Sequence, residues 1–358
     1  MEATGRNQEA APVLVEALRQ LVAGKSLNRR QARAVMEALL RGEAGDAQIG
    51  ALLTALRMKG ETVDELVGFA EAMRAHARPI FSPDGRPAGP LVDTCGTGGD
   101  ASGTFNVSTA AAFVAAAAGV RVAKHGNRSL SSRCGSADVL EALGVNILSE
   151  PDQVAAAIHE IGIGFIFAPS VHLAMRNVQR ARRQLRVRTV FNLLGPLTNP
   201  AGVDAQVLGV FDARWLEPVA RALRELGVRQ AFVLHSRDGL DEASLSDATE
   251  FVEVRAGEIR RGEFAPEDFG LPRAPRDALR GGDAEANAKI IERVFAGEPG
   301  PPRDIVLMNA ALALVAAERA AGYREGVAQA RQAIDSGAAR DRLRALIEFS
   351  NRPPEVQK

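Results

Sequence analysis

The stretch over residues 91–119, LVDTCGTGGDASGTFNVSTAAAFVAAAAG, constrains the chain most. Leu91-Val92 reads as the end of a buried strand. A loop with Gly96, Gly98, Gly99 and Gly103 follows. Asn106-Val107-Ser108-Thr109 then opens an alanine-rich helix over 110–118, with Ser108 or Thr109 as N-cap and Gly119 as C-cap. A strand leading through glycines into a helix N-terminus is a phosphate-binding geometry. Glycines let backbone N–H groups point at the anion, and the helix adds unpaired donors and the positive end of its dipole. The loop is neither common phosphate fingerprint: GTGGD lacks a Lys-Ser/Thr ending, and Ala101 breaks GxGxxG. A glycine turn would account for GTGG alone. Asp100 and the hydroxyls of Thr97, Ser102, Thr104, Ser108 and Thr109 supply more phosphate and metal ligands than a turn needs.

Around this stretch the chain changes rhythm. Residues 1–11 read as a disordered, polar tail without the apolar core of a signal peptide. Four amphipathic helices follow, within 13–24, 27–42, 45–60 and 62–77, with Asp46 and Thr62 as N-caps. Residues 79–90, rich in Pro and Gly, read as a linker. Beyond them strands expected at 91–93, 120–123, 163–167, 206–209, 230–234 and 251–254 alternate with helices at 110–118, 137–142, 151–159, 216–226, 287–296 and 304–321. Residues 324–349 read as one amphipathic helix and 189–200 as a return loop. The pattern gives an α/β fold: a small N-terminal helical domain and a large α/β domain with a mainly parallel sheet flanked by helices. Ligands bind such sheets at the C-terminal strand ends, where the glycine loop lies.

Composition narrows the function. The 358 residues carry 44 Lys and Arg against 44 Asp and Glu, so bulk charge points to neither nucleic acid nor membrane. Cys95 and Cys134 are the only cysteines, which suits a reducing cytoplasm and leaves no disulfide framework. The apolar run 110–122 is too short for a membrane span.

Three further clusters carry chemistry. Lys124, His125, Gly126, Asn127, Arg128, Ser129, Leu130, Ser131 and Ser132, with Ser136, follow a strand and offer anion ligands; a solvated polar loop fits that composition equally well. Asp238-Gly239-Leu240-Asp241-Glu242 follows another strand, and adjacent carboxylates there suit Mg²⁺; an acidic surface turn is the plainer reading of that segment alone. Arg176, Arg180 and Arg183 share a helix face, with Arg182 on another. A solvated face is the usual account of such a run, and without interleaved aromatics it gives a nucleic-acid surface little support.

Taken in order, DTCGTGGD (93–100), FNVSTAAAFVAAAAG (105–119), KHGNRSLSSRCGSADVLEALG (124–144), RTVFNLLGPLTNP (188–200) and HSRDGLDE (235–242) closely resemble the anthranilate phosphoribosyltransferase family. The resemblance spans nearly the whole chain. KHGNRS together with DGLDE separates it from the related pyrimidine nucleoside phosphorylases, which would use phosphate in place of pyrophosphate. It implies transfer of phosphoribose from phosphoribosyl pyrophosphate to anthranilate, the second step from chorismate to tryptophan. It implies a homodimer formed through a helical domain of 12–84 plus about 171–190, with 85–170 and 191–358 as the α/β domain. It implies Mg²⁺, two ions per subunit, on Ser108, Asp241 and Glu242. By position, Gly96, Gly99, Asp100, Thr104, Asn106, Val107, Ser108 and Thr109 would hold phosphoribosyl pyrophosphate, and residues 124–132 with Ser136 would wrap its phosphates. Gly96, Asn127 and Arg182 would contact anthranilate, with His125 lining the channel.

No dedicated nucleophile or general base stands out. If the bond to pyrophosphate breaks early, Mg²⁺, loop amides, Lys124 and Arg128 stabilise the departing charge, and the neutral aryl amine attacks directly. Three positions depart from the family pattern: Cys134 for serine, Leu173 for the proline of a His-Pro-Ala-Met stretch, and Arg186 for glycine. Association with an amidotransferase is not legible.

Overall fold

The computed structural model describes residues 11–100, 102–129 and 133–353. In chain order these form α1 (Pro12–Val22), α2 (Arg29–Leu40), α3 (Asp46–Lys59), α4 (Val63–Ala75), β1 (Leu91–Asp93), α5 (Val107–Ala117) and β2 (Arg121–Gly126). Next come α6 (Ser136–Ala142), α7 (Pro151–Ile161), β3 (Ile163–Phe167), α8 (Ala168–Val171), α9 (Arg176–Leu185), α10 (Phe191–Leu197) and β4 (Ala205–Gly209). The chain ends with α11 (Leu216–Glu225), β5 (Gln230–Ser236), β6 (Thr249–Arg255), β7 (Glu258–Phe264), α12 (Ala284–Phe295), α13 (Pro301–Ala316), α14 (Tyr323–Asp335) and α15 (Ala338–Ser350). No described helix is long and apolar enough to cross a membrane.

The chain divides into two compact units, one running to Arg78 and taking in His172–Thr198, the other Pro79–Val171 and Asn199–Lys358. These boundaries differ from 84 and 190 for physical reasons. Ile80 is buried with Leu91 and Ile166 in the core of the second unit. The expected return loop contains α10, and the Leu197 carbonyl accepts from Arg74 Nε at 2.8 Å, which keeps it with α4.

In the helical unit the caps follow side-chain chemistry. Asn28 and Gln31 form a capping box on α2, and Thr62 and Glu65 form one on α4. Asp46 is the first residue of α3 and not its cap; Gly45 caps, and its amide donates to Gln48 Oε1 at 3.0 Å. The buried Glu65 ties three segments together, accepting from the Leu27 amide at 2.9 Å, the Thr62 amide at 2.8 Å and Lys59 Nζ at 2.9 Å. At the crossing of α2 and α4, a Cβ on Gly68 would stand 2.3 Å from the Arg29 carbonyl oxygen.

The second unit is built on one sheet of strand order β3-β2-β1-β4-β5-β6-β7. The first five run parallel, and β6 and β7 complete an antiparallel edge. Alternate residues feed opposite faces: Val92 and Val122 join the core with α5 and α13, while Leu91 and Ala123 pack with Val154 and Ile158. The alanines of α5 are buried from Ala110 to Ala116, and their small size admits the equally buried α13 close alongside. β1 pairs with β2 on one side and β4 on the other, so the connections reverse direction there. That reversal opens a crevice at the C-terminal strand ends.

Three local expectations are corrected. α5 begins at Val107 with Asn106 at its N-cap, and Ala118 occupies its C-cap with Gly119 following in the left-handed region, φ 96°. The expected helix over 324–349 is two helices, broken at Gly337, φ 80°. β7 was not expected, because EIRRGEF alternates charge with little apolar signal and lies mostly exposed at the sheet edge.

Candidate active site

Three loops meet closely at the switch point, with glycines at the tightest approaches. A Cβ on Gly209, ending β4, would lie 1.5 Å from the Asp241 carbonyl oxygen. One on Gly96 would lie 3.1 Å from the Gly209 carbonyl and 3.5 Å from Asp241 Oδ2. Thr97 closes the seam. Its amide donates to the Gly209 carbonyl at 2.8 Å, its hydroxyl reaches the same oxygen at 3.2 Å, and that hydroxyl accepts from the Phe211 amide at 3.1 Å. The rest of the glycine loop is tied to the segment after β7: the Gly281 amide donates to the Gly103 carbonyl at 2.8 Å, and Thr104 bridges Arg280.

Carboxylates crowd this seam. Asp100 Oδ2 accepts from the Asp241 amide at 3.4 Å, and Asp100 Oδ1 accepts from the Ser102 amide at 3.1 Å. Glu242 Oε1 accepts from the Ser108 amide at 3.1 Å. Thus, with Asn106 rather than Ser108 or Thr109 at the N-cap, a first-turn amide of α5 is taken by the Glu242 carboxylate, where an anion is suited. Burial, then the charges of Asp100 and Glu242, hold the Asp241 carboxyl well above the usual carboxylate range. Burial pushes Glu242 up to about 7 against the pull of Lys124 and Ser108. The Thr109 hydroxyl oxygen is buried with no hydrogen-bond partner among the described residues.

This donor set fits a hard cation bound together with phosphate. Among the described residues no three His, Cys, Asp or Glu side chains form a metal cage. Mg²⁺ does not need one, since it is commonly held by one or two carboxylates plus substrate phosphate oxygens. Asp241 and Glu242 supply two carboxylates whose mutual repulsion a cation relieves.

The second loop starts from β2. Lys124, buried, donates to the Thr94 carbonyl at 3.1 Å and the Thr94 hydroxyl at 3.3 Å. Asp93, fully buried, accepts from the His125 amide at 3.2 Å and Asn199 Nδ2 at 2.8 Å. Burial raises Asp93 to about 6, opposed by Lys124, Asn199 and the amides. Beyond Gly126, Asn127 and Arg128 are exposed. Arg128 is engaged by Asp138 at 3.1 Å and Glu141 at 2.8 Å rather than standing free for an anion. Asp138 Oδ2 gathers the Ser129 and Gly135 amides at 3.0 and 2.8 Å, while Ser136 Oγ accepts from the Asn127 amide at 3.2 Å. Leu130, Ser131 and Ser132 lie outside the described residues.

Arg182 belongs to the helical unit. Its guanidinium lies 4.6 Å from the Phe191 ring centroid, and burial lowers its pKa to about 10. Arg176, Arg180 and Arg183 are exposed on α9, and Arg180 pairs with Asp46 at 2.9 Å. The sequence reading missed the residues that hold the site from behind. Asn287 Nδ2 donates to Asn106 Oδ1 at 2.9 Å, and Asn287 Oδ1 accepts from the Gly282 amide at 2.7 Å. Asn309 binds both the backbone N–H and the C=O of Ala243. A lone asparagine in the apolar run IVLMNAALALVA was the available signal for the latter.

The fold and the crevice of glycine loop, helix N-terminus and carboxylates define a two-domain glycosyl transferase. The family described as "Glycosyl transferase family, helical bundle domain" matches residues 15–77, and "Glycosyl transferase family, a/b domain" matches 88–340. The chain is 53% identical to the anthranilate phosphoribosyltransferase of Symbiobacterium thermophilum, over 94% of this chain and 97% of that one. It is 54% identical to that of Myxococcus xanthus, over 94% and 98%. The anthranilate phosphoribosyltransferase structure from Thermus thermophilus superposes with a TM-score of 0.88 at 46% identity, covering 94% and 99% of the chains. The Saccharomyces cerevisiae enzyme in complex with PRPP and Mg superposes with a TM-score of 0.86 at 25% identity, covering 95% and 98%. The chain belongs to the anthranilate phosphoribosyltransferase family.

Proposed function

We propose that the protein transfers the phosphoribosyl group of phosphoribosyl pyrophosphate to the amine of anthranilate, releasing pyrophosphate, as a step of tryptophan biosynthesis. One observation carries this reading: the carboxylates of Asp241 and Glu242 stand against the N-terminus of α5 and the glycine loop, with Glu242 on the Ser108 amide. Cation ligands and anion-binding amides side by side suit a metal-bridged pyrophosphate. The yeast relative, solved with PRPP and Mg and also with 4-fluoroanthranilate, supports the assignment of both substrates.

In this reading Asp241, Glu242 and Ser108 hold Mg²⁺, two ions per subunit. When bound it neutralises charge on the pyrophosphate as the glycosidic bond breaks. The chain itself positions and stabilises. Gly96, Gly99, Asp100, Thr104 and Asn106 to Thr109 seat the phosphoribosyl pyrophosphate. Lys124 supplies a buried positive charge, and Arg128 exchanges Glu141 for the departing phosphates. Gly96, Asn127 and Arg182 orient anthranilate, whose neutral amine attacks the ribosyl carbon without a general base. We assign the protein to the cytoplasm, in keeping with its two free cysteines. We also propose a homodimer through the helical unit, where Val22 and Met58 are 74% and 83% exposed; light scattering that gave a monomer mass would reject it.

The test is loss of anthranilate fluorescence with phosphoribosyl pyrophosphate, with and without Mg²⁺. Wild type should show Mg²⁺-dependent loss, and Asp241→Ala/Glu242→Ala should show none. No loss with folded wild type would sink the assignment.

A further inference from the structure

Helix α13 is apolar except at one place. Between Ile305 and Ala316 only Asn309 is polar, and it is 2% exposed. A buried primary amide brings two donors and an acceptor that must find partners. Asn309 pairs with both backbone polar groups of one residue, Ala243, which belong to the two successive peptide units on either side of its Cα. Its Oδ1 accepts from the Ala243 amide at 3.0 Å, and its Nδ2 donates to the Ala243 carbonyl at 3.0 Å. The same nitrogen also donates to the Ile305 carbonyl at 2.9 Å. Ala243 is fully buried and follows Glu242 directly, so neither its N–H nor its C=O could turn to water.

The front of the same loop is fixed separately. The Asp238 carboxylate accepts from the Ser244 hydroxyl at 2.6 Å and the Leu240 amide at 3.2 Å, and the Asp238 carbonyl accepts from Arg276 at 2.9 Å. Those contacts hold residues 238–240 and 244, and the Ser244 amide also donates to Thr249 Oγ1 at 3.1 Å. The Ala243 amide, next to Glu242, is held by Asn309. A leucine would suit the surrounding core better than an amide, since burying a polar group costs stability unless it is paired. The asparagine is thus explained by what it holds.

We infer that Asn309 is a positioning residue that sets Asp241 and Glu242 for Mg²⁺ by clamping the backbone N–H and C=O of Ala243. This rests on the reading of those two carboxylates as the Mg²⁺ ligands. Partners that orient a metal's ligands from behind change metal affinity about 10- to 100-fold when removed. The residue touches no substrate, so its effect falls on the metal requirement and not on anthranilate.

The experiment compares wild type, Asn309→Ala, Asn309→Ser, Leu312→Ala and Asp241→Ala/Glu242→Ala. Leu312 is a fully buried neighbour on α13 and controls for simple loss of core packing. The serine variant keeps one hydroxyl and serves should the alanine variant not fold. Two quantities are read: the Mg²⁺ concentration for half-maximal binding of phosphoribosyl pyrophosphate by calorimetry, without anthranilate, and the Mg²⁺ concentration for half-maximal rate. In the Asn309 variants both should rise about 10-fold or more, with KM for anthranilate unchanged. Leu312→Ala should melt earlier with a wild-type Mg²⁺ requirement. Asn309 variants within about two-fold of wild type, or an equal shift in Leu312→Ala, would overturn the clamp. Wild-type Mg²⁺ dependence in Asp241→Ala/Glu242→Ala would overturn it too, and would place the fault in the carboxylate assignment.

Discussion

Arg186 caps the C-terminus of α9 in the left-handed region, φ 51°. A side chain there crowds the following carbonyl and costs about 1–2 kcal/mol, which glycine avoids. Glycine returns part of that through the entropy of the unfolded chain, about 0.5–1 kcal/mol. Arg186→Gly should therefore stabilise the helical unit by about 0.5–1 kcal/mol, read as a higher denaturant midpoint. An unchanged or lower midpoint would mean the arginine side chain makes contacts that outweigh the strain. Cys134 is a gentler departure: its thiol still donates to Asn106 Oδ1 at 3.3 Å, as a serine hydroxyl could. At this scale the phosphate loop was legible because glycines, hydroxyls and an acid crowd a short stretch. Asn287, Asn309 and the Asp93–Asn199 pair were not, because their meaning lies in a partner far along the chain. Asn309 meets Ala243 across 66 positions, a pairing that local composition does not encode.

Elements with a clean period were readable, and those shaped by tertiary contact were not. Leu91–Asp93 and Ile163–Phe167 are strands as expected, both buried runs in a parallel sheet. β7 escaped because an edge strand of charged residues carries no core signal, and its pairing with β6 supplies what its sequence lacks. α10 escaped because Gly195 and Pro196 read as loop, although the helix is anchored by Phe191, Leu193, Leu194 and Leu197 in the core. The helical unit offers a sharp test of element packing. A methyl group at Gly68 would stand 2.9 Å from Ala32 Cβ as well as 2.3 Å from the Arg29 carbonyl, both on the facing helix. Backbone cannot yield there as a side-chain tip could. Gly68→Ala should cost about 1–3 kcal/mol despite alanine's better helix propensity, seen as a lower melting temperature of the helical unit. A neutral or stabilising result would show that α2 and α4 can separate freely.

For the whole molecule, charge balance hides a local imbalance: net charge is zero, yet Asp100, Asp241, Glu242 and Asp93 gather at the ends of β1 and β5. The folded protein holds Glu242 at about 7 against an ordinary 4.5, and holds Asp241 well above its ordinary value. A carboxyl raised on folding binds more protons folded than unfolded, so its contribution is full below the unfolded value and is lost as pH rises through the folded one. His172 runs the other way: burial lowers it to about 4 from 6.5, which makes stability rise with pH between those values. The two effects oppose below pH 6.5, and above it only the carboxylates remain. Metal-free protein should therefore lose stability from about pH 6.5 to 8, by about 1 kcal/mol from Glu242 alone, or about 2 °C in melting temperature. Asp241→Asn/Glu242→Gln should flatten that slope and melt higher than wild type at about pH 8 without metal. Mg²⁺ with pyrophosphate, binding the ionised carboxylates, should restore wild type most at the alkaline end and leave the variant unmoved. Calorimetric melts across the window decide it, and a wild-type melting temperature that is flat or rising there would remove the case for carboxylates held apart from water until a cation arrives.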